Sequence, residues 1–115
     1  MPEYTLQFII MIDGPSSDQE IVDAIRTPFP DSGGGPARCA DLRGNFVDIF
    51  ANSDADQAKM SGEDGFLFYG FELQASPTKP TIQEAEQIRL ARDLKAVFES
   101  RGWKAEVGAN FEDKL

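Results

Sequence analysis

One short pattern occurs twice in this chain, and the repetition constrains the fold more than any other feature. Residues 46–56 read FVDIFANSDAD and residues 104–114 read KAEVGANFEDK. At an offset of 58 residues, Val47 meets Ala105, Asp48 meets Glu106 and Ile49 meets Val107. Ala51-Asn52 and Ala109-Asn110 are identical, and Asp54 meets Glu112. Each copy alternates like a strand and runs through Ala-Asn into an acidic turn. A helical pattern precedes each copy, and a strand-like run precedes each helix. Two β-α-β halves are therefore expected, each unable to bury its apolar face alone.

The remaining elements follow from periodicity. In YTLQFIIMI, residues 4–12, Leu6, Phe8, Ile10 and Ile12 share one face while Ile9 and Met11 lie opposite, so a central strand is expected. Asp13-Gly14-Pro15 breaks it. Ser17 with Glu20 three residues later makes a capping box for a short helix carrying Ile21, Ala24 and Ile25 on its buried stripe, which Pro28 and Pro30 end. Residues 27–43 show no periodicity and include three consecutive glycines at 33–35, so they read as a long flexible connection. The second strand is placed over 45–51, and residues 54–64 form a polar turn region with one helical turn around Gln57–Met60. The third strand is placed over 66–73, with Phe66, Phe68, Tyr69 and Phe71 distributed over both faces. A second capping box, Thr81 with Glu84, opens a long helix whose apolar stripe is Ile82, Ala85, Ile88, Ala91, Leu94 and Val97/Phe98, closed by Gly102. Trp103, Ala105, Val107 and Ala109 alternate as the fourth strand. The order β-α-β-β-α-β predicts a single α+β domain over 1–115, a ferredoxin-like sandwich with a four-stranded antiparallel sheet and two helices on one face. In that arrangement the first strand pairs with the closing strand at the centre of the sheet.

The 115 residues suit one core, and no apolar run reaches the roughly 18 residues that a membrane span needs. No basic region precedes an apolar stretch at the N-terminus, so no secretory signal is read, and a single cysteine, Cys39, fits a cytoplasmic address. The net charge of −9 is carried entirely by residues 1–75, which hold 13 acids and 4 bases. Phosphate-backbone binding needs clustered Lys and Arg, so direct nucleic-acid binding is not expected. A basic protein partner is the natural complement.

The chain contains no histidine, which removes Ser-His-Asp and Cys-His catalysis and His-ligated zinc together. The glycine run DSGGGPAR lacks the Gly-Lys-Ser/Thr of a nucleotide loop and reads as a linker. Cys39 stands near Arg38 and Arg43, which could lower a thiol pKa, but an incidental thiol is the simpler reading. Residues 52–63 carry oxygen-bearing side chains at loop positions one, three, five and twelve (Asn52, Asp54, Asp56, Glu63), as in an EF-hand, but Gln57 replaces the turn glycine and a strand leads in. A solvated acidic turn is the simpler reading. Asp48 and Glu106, equivalent in the two halves, could serve as paired carboxylates or stand on a solvent face. The aromatic third strand lacks the basic neighbours of an RNA-binding sheet, and Glu63 and Asp64 precede it, so it reads as core or protein interface.

These features favour a non-enzymatic acidic binding protein with no cofactor and no metal. The expected partner-binding residues are Asp48, Asp54, Asp56, Glu63 and Asp64 with Phe66, Phe68 and Tyr69. The segment LARDLKAVFESRGWKAEVGANFED, a long amphipathic helix leading to a closing strand with an acidic end, resembles bacterial immunity proteins. The resemblance implies an inhibitor that neutralises a cognate toxin in the cytosol by occluding its active site with acidic side chains. Two other readings stand beside it: a nucleic-acid mimic that inhibits a nuclease, and a ferredoxin-like small-molecule-binding or enzymatic domain, for which a homodimer through the open sheet face is expected.

Overall fold

The computed structural model describes residues 6–28, 38–53, 55–59, 65–78 and 81–109. The fold is α+β. Five strands form one antiparallel sheet: β1 (Phe8–Asp13), β2 (Arg38–Leu42), β3 (Asn45–Ala51), β4 (Phe71–Pro77) and β5 (Lys104–Ala109), in the order β2-β3-β4-β1-β5. The helices are α1 (Asp18–Arg26) and α2 (Glu84–Ser100). Two short 3₁₀ turns, Gln57–Lys59 and Gly65–Phe68, lie between β3 and β4. Among the described residues no helix is long and apolar enough to cross a membrane.

Alternation assigns the two sheet faces. Phe8, Ile10 and Ile12 of β1 stand in register with Ala75, Leu73 and Phe71 of β4 and with Ala109, Val107 and Ala105 of β5. Val47 and Ile49 of β3 continue the rows opposite Ala75 and Leu73. This face meets Ile21, Val22 and Ile25 of α1 and Leu90, Ala91, Leu94 and Phe98 of α2 in one core. Helix α1 packs on β3, α2 on β5 and β1, and the helices touch each other. The repeated segments obey one phase: Val47 and Ile49 face the helices, and so do Ala105 and Val107. β1 does pair with β5, but β5 is an edge strand and not central.

Among the described residues the sheet has five strands where four were expected. The extra one, β2, falls in the connection read as structureless. It joins β3 through Arg43-Gly44, whose φ values of 49° and 82° are both positive, as a two-residue type I′ hairpin demands. Arginine rather than Asn or Asp at the first of these positions hides the signal. A β-carbon on Gly44 would lie 2.9 Å from Ile82 Cδ1, so the tip of that side chain would have to shift, and it is the positive φ that favours glycine here. The glycines at 33–35 lie outside the described residues. Cys39 stands in a strand and not in a loop.

The third expected strand begins late. Residues Gly65–Phe68 form a 3₁₀ turn, and pairing starts at Phe71, opposite Ile12 and Ala51 near the ends of their own strands. No further ladder is there for Phe66 to Tyr69 to join. Helix α1 starts as expected, with Glu20 N–H donating to Ser17 Oγ at 3.4 Å. Helix α2 starts two residues later than expected: Gln83 is the N-cap and its N–H donates to Glu86 Oε2 at 2.9 Å. Its buried stripe is Gln87, Leu90, Ala91, Leu94 and Phe98, so Ala85 is exposed and Ile88 only partly covered. The α2 carboxylate of Asp93 pairs at 2.8 Å with Arg43 from the β2–β3 turn.

Gln87 intrudes on this stripe because it has a partner. Asn45 Nδ2 donates to Gln87 Oε1 at 2.8 Å, and Gln87 Nε2 donates back to Asn45 Oδ1 at 3.0 Å. The remaining amide protons reach Leu6 O at 2.9 Å and Arg43 O at 3.4 Å. Both side chains are shut off from water, at 0% and 1% exposure. Near the far end of the sheet, Gly14 has a φ of 130°, and a β-carbon there would lie 2.6 Å from Trp103 Cδ1. Trp103 also packs on Phe98 with ring centroids 6.1 Å apart.

Replacing Leu94 with Ala is expected to cost about 2–5 kcal/mol in chemical denaturation, because the cavity opens between α2 and the sheet. Asn45→Ala strands the buried Gln87 amide and is expected to cost about 1–3 kcal/mol. The pair Asn45→Leu with Gln87→Leu should cost less than the sum of the single changes, and a double-mutant cycle measures the difference.

Candidate functional site

The sheet face turned away from the helices carries the site. Across it, Asp48 stands beside Gln74, Gln74 beside Ile9, and Ile9 beside Gly108. The next row runs Phe50, Glu72, Met11, Glu106. Asp13 and Lys104 are opposite each other beyond it. Apolar side chains alternate with acids along this second row. Gly108 leaves Ile9 room to lie across it, since a β-carbon there would be 3.3 Å from Ile9 Cγ1.

The two 3₁₀ turns fold over part of this face. Ile9, Met11, Leu67, Phe68, Lys59, Asn52 and Glu72 line an open groove of about 430 Å³. Met11 is covered to 4% exposure, but Leu67 stays 47% and Phe50 39% exposed. Asn52 holds the cover in place. Its Nδ2 donates to Leu67 O at 2.9 Å and Tyr69 O at 2.7 Å, and its backbone N–H donates to Gly70 O at 2.9 Å. Asp56 N–H donates to Phe68 O at 3.1 Å, so each turn is tied to the other. Lys59 Nζ lies 5.2 Å from the centroid of the Phe68 ring, a cation–π distance.

The expected site residues separate into groups. Asp48 is on the open face of β3, half-buried. Asp56 accepts the Ala58 N–H at 3.0 Å through Oδ1 and so braces the first 3₁₀ turn. Phe66, Phe68 and Tyr69 belong to the cover rather than to a strand, each half-buried. Asp54, Glu63 and Asp64 lie outside the described residues. Sequence reasoning missed Phe50, Leu67, Ile9, Met11, Lys59 and Glu72. For Phe50 a signal existed: with Val47 and Ile49 facing the core, the phase of FVDIF leaves Phe46 and Phe50 on the other face.

The geometry decides between chemistries. Asp48 and Glu106 are separated by three strand spacings, roughly 14 Å. Paired carboxylates in acid–base hydrolysis stand at roughly 5–9.5 Å, so these two do not form such a pair. In the stretch that resembles a calcium loop, the Asn52 amide is engaged with two backbone carbonyls, and among the described residues no group of three His, Cys, Asp or Glu is placed to hold a metal ion. The Tyr69 phenol is pushed above its ordinary value, first by desolvation and then by the negative charges of Glu106 and Asp13. It stays protonated at neutral pH and offers a hydrogen-bond donor beside two acids.

Asn52→Ala is expected to loosen the cover, and amide exchange at Asp56 and Tyr69 should quicken while exchange in β1 and β4 is unchanged. Glu106→Gln removes one of the charges that disfavour the phenolate. The Tyr69 pKa, followed by ultraviolet titration, should therefore fall but stay above the ordinary tyrosine value, since desolvation is the larger cause.

Comparison with protein families, with curated proteins and with solved structures gives no match.

Proposed function

We propose that this chain is a non-enzymatic binding protein that engages a basic protein surface with its open sheet face. The observation that carries the reading is the exposure of two large apolar side chains on one face, Leu67 lining the groove with Glu72 and Phe50 standing opposite Glu72 in the sheet. Interface centres combine such apolar anchors with a polar rim, and a rim of Asp48, Glu72 and Glu106 selects Lys and Arg opposite. In sequence, the acids Asp54, Asp56, Glu63 and Asp64 add negative charge to the connection between β3 and β4. Neutralisation of a bacterial toxin, as in immunity proteins, is the specific form of this proposal. It rests on the resemblance of the α2–β5 segment and on acidity, and a cytoplasmic address goes with it.

The fold carries a proposal of its own. Strands β3, β4, β1 and β5 with both helices make a ferredoxin-like unit to which β2 adds an edge. What supports this is the strand order: exchanging β1 with β4 and β3 with β5 maps β3-β4-β1-β5 onto itself. The same exchange relates the two repeated segments.

The test is affinity for a partner recovered by pull-down from the native cell. Glu63→Lys with Asp64→Lys is expected to weaken binding roughly tenfold, ~1.4 kcal/mol, at low salt and much less at high salt. Leu67→Ala should weaken it at both. Thermal melts that match the unaltered chain show that the domain is intact. An affinity indifferent to salt and to the charge reversals would sink the electrostatic reading and leave the Phe50–Leu67 surface alone.

A further inference from the structure

Among the described residues the sheet has one regular open edge, and its chemistry is self-complementary. Strand β5 pairs only with β1 among the described residues, so alternate residues of Lys104–Gly108 direct backbone N–H and C=O groups outward with no protein partner there. On its open-face phase β5 presents Lys104, Glu106 and Gly108, and both charged side chains are exposed. On its core-face phase Trp103 and Val107 are only partly buried at the rim of the core.

We propose that a second copy of this chain pairs with β5 antiparallel across a two-fold axis at Ala105, joining two sheets into one of ten strands. Residues directly opposite in an antiparallel pair point to the same face, so only registers centred on a residue keep core against core. A pair centred on Lys104 opposes two lysines, and one centred on Glu106 opposes two glutamates. One centred on Val107 sets Glu106 against Gly108. Centring on Ala105 sets Lys104 against Glu106 of the second copy, twice. It also brings Trp103 beside Val107 of the second copy, so the exposed flank of each core is covered by the other. Opposite charges directly across a strand pair stabilise it, and like charges oppose it. The contact is short, which places the dimer in the weak, concentration-dependent class. It uses a different surface from the groove of Phe50 and Leu67 and leaves that groove open.

Sedimentation velocity of the full chain over a concentration series tests this. The unaltered protein should shift from monomer to dimer as concentration rises. Lys104→Glu alone sets Glu against Glu, and Glu106→Lys alone sets Lys against Lys, so each should remain monomeric. Mixing the two variants restores opposite charges at both positions and should restore the dimer. The chain carrying both reversals should dimerise as the unaltered one does, which keeps the test independent of how either single variant folds. A monomer at every concentration overturns the proposal, as does a mixture that stays monomeric. A dimer indifferent to these reversals but lost in Phe50→Asp or Leu67→Asp also overturns it and moves the contact to the open face.

Discussion

The reciprocal amide pair between Asn45 and Gln87 is the constraint on which the arrangement of α2 depends. An unsatisfied amide in a dry core costs about 1–3 kcal/mol, so this pair tolerates little displacement of either partner. Asn45 is the first residue of β3, Gln87 lies in the first turns of α2, and Leu6, whose O Gln87 also reaches, lies two residues before β1. Three chain segments distant in sequence are thus indexed to one another by hydrogen bonds of fixed direction. Apolar contacts alone would allow the helix to rotate by a residue, and the stripe Ile82, Ala85, Ile88 offers such an alternative. With Gln87 anchored, Leu90, Leu94 and Phe98 are the residues that face the sheet. The same corner is tied again by Thr78, whose N–H and Oγ1 both donate to Gly44 O at 2.9 Å.

Much of the frame was legible because period and capping are local. The alternation of β1, the Ser17 cap and the phase within each repeated segment all depend on residues within one turn or one strand of each other. The misses have non-local causes. The strand β2 is held by its pairing with β3, and its hairpin uses an arginine at positive φ, which only the surrounding contacts make tolerable. The run Phe66 to Tyr69 has strand-like composition, yet it lies beyond the ends of the strands that could pair with it. Helix α2 was found, but its inward face was misjudged because a buried glutamine reads as polar until its partner, 42 positions away, is known.

The candidate site shows the same division. The outward phase of Asp48 and Glu106 could be read from alternation, but their separation across the sheet could not, because it depends on strand order. The groove is built by folding the segment after β3 back over the sheet, and the Asn52 side chain secures that fold through carbonyls 15 and 17 residues later. In sequence Asn52 looks like a turn residue or a cation ligand. In space it is a clamp, and the aromatic residues it secures form a cover over the groove.

The irregular pairing of β2 with β3 bears on how copies of this chain could assemble. Its register with β3 shifts between Cys39 and Leu42, so the outer rim of that strand is not a straight template for another strand. A sheet with two straight rims can be extended at both ends without limit, which is the route to fibres. Here one rim is irregular, and in the proposed dimer the other is closed by the second copy. An added strand that looks like decoration on the fold thus leaves a single straight rim, so the proposed edge pairing is closed rather than polymerising.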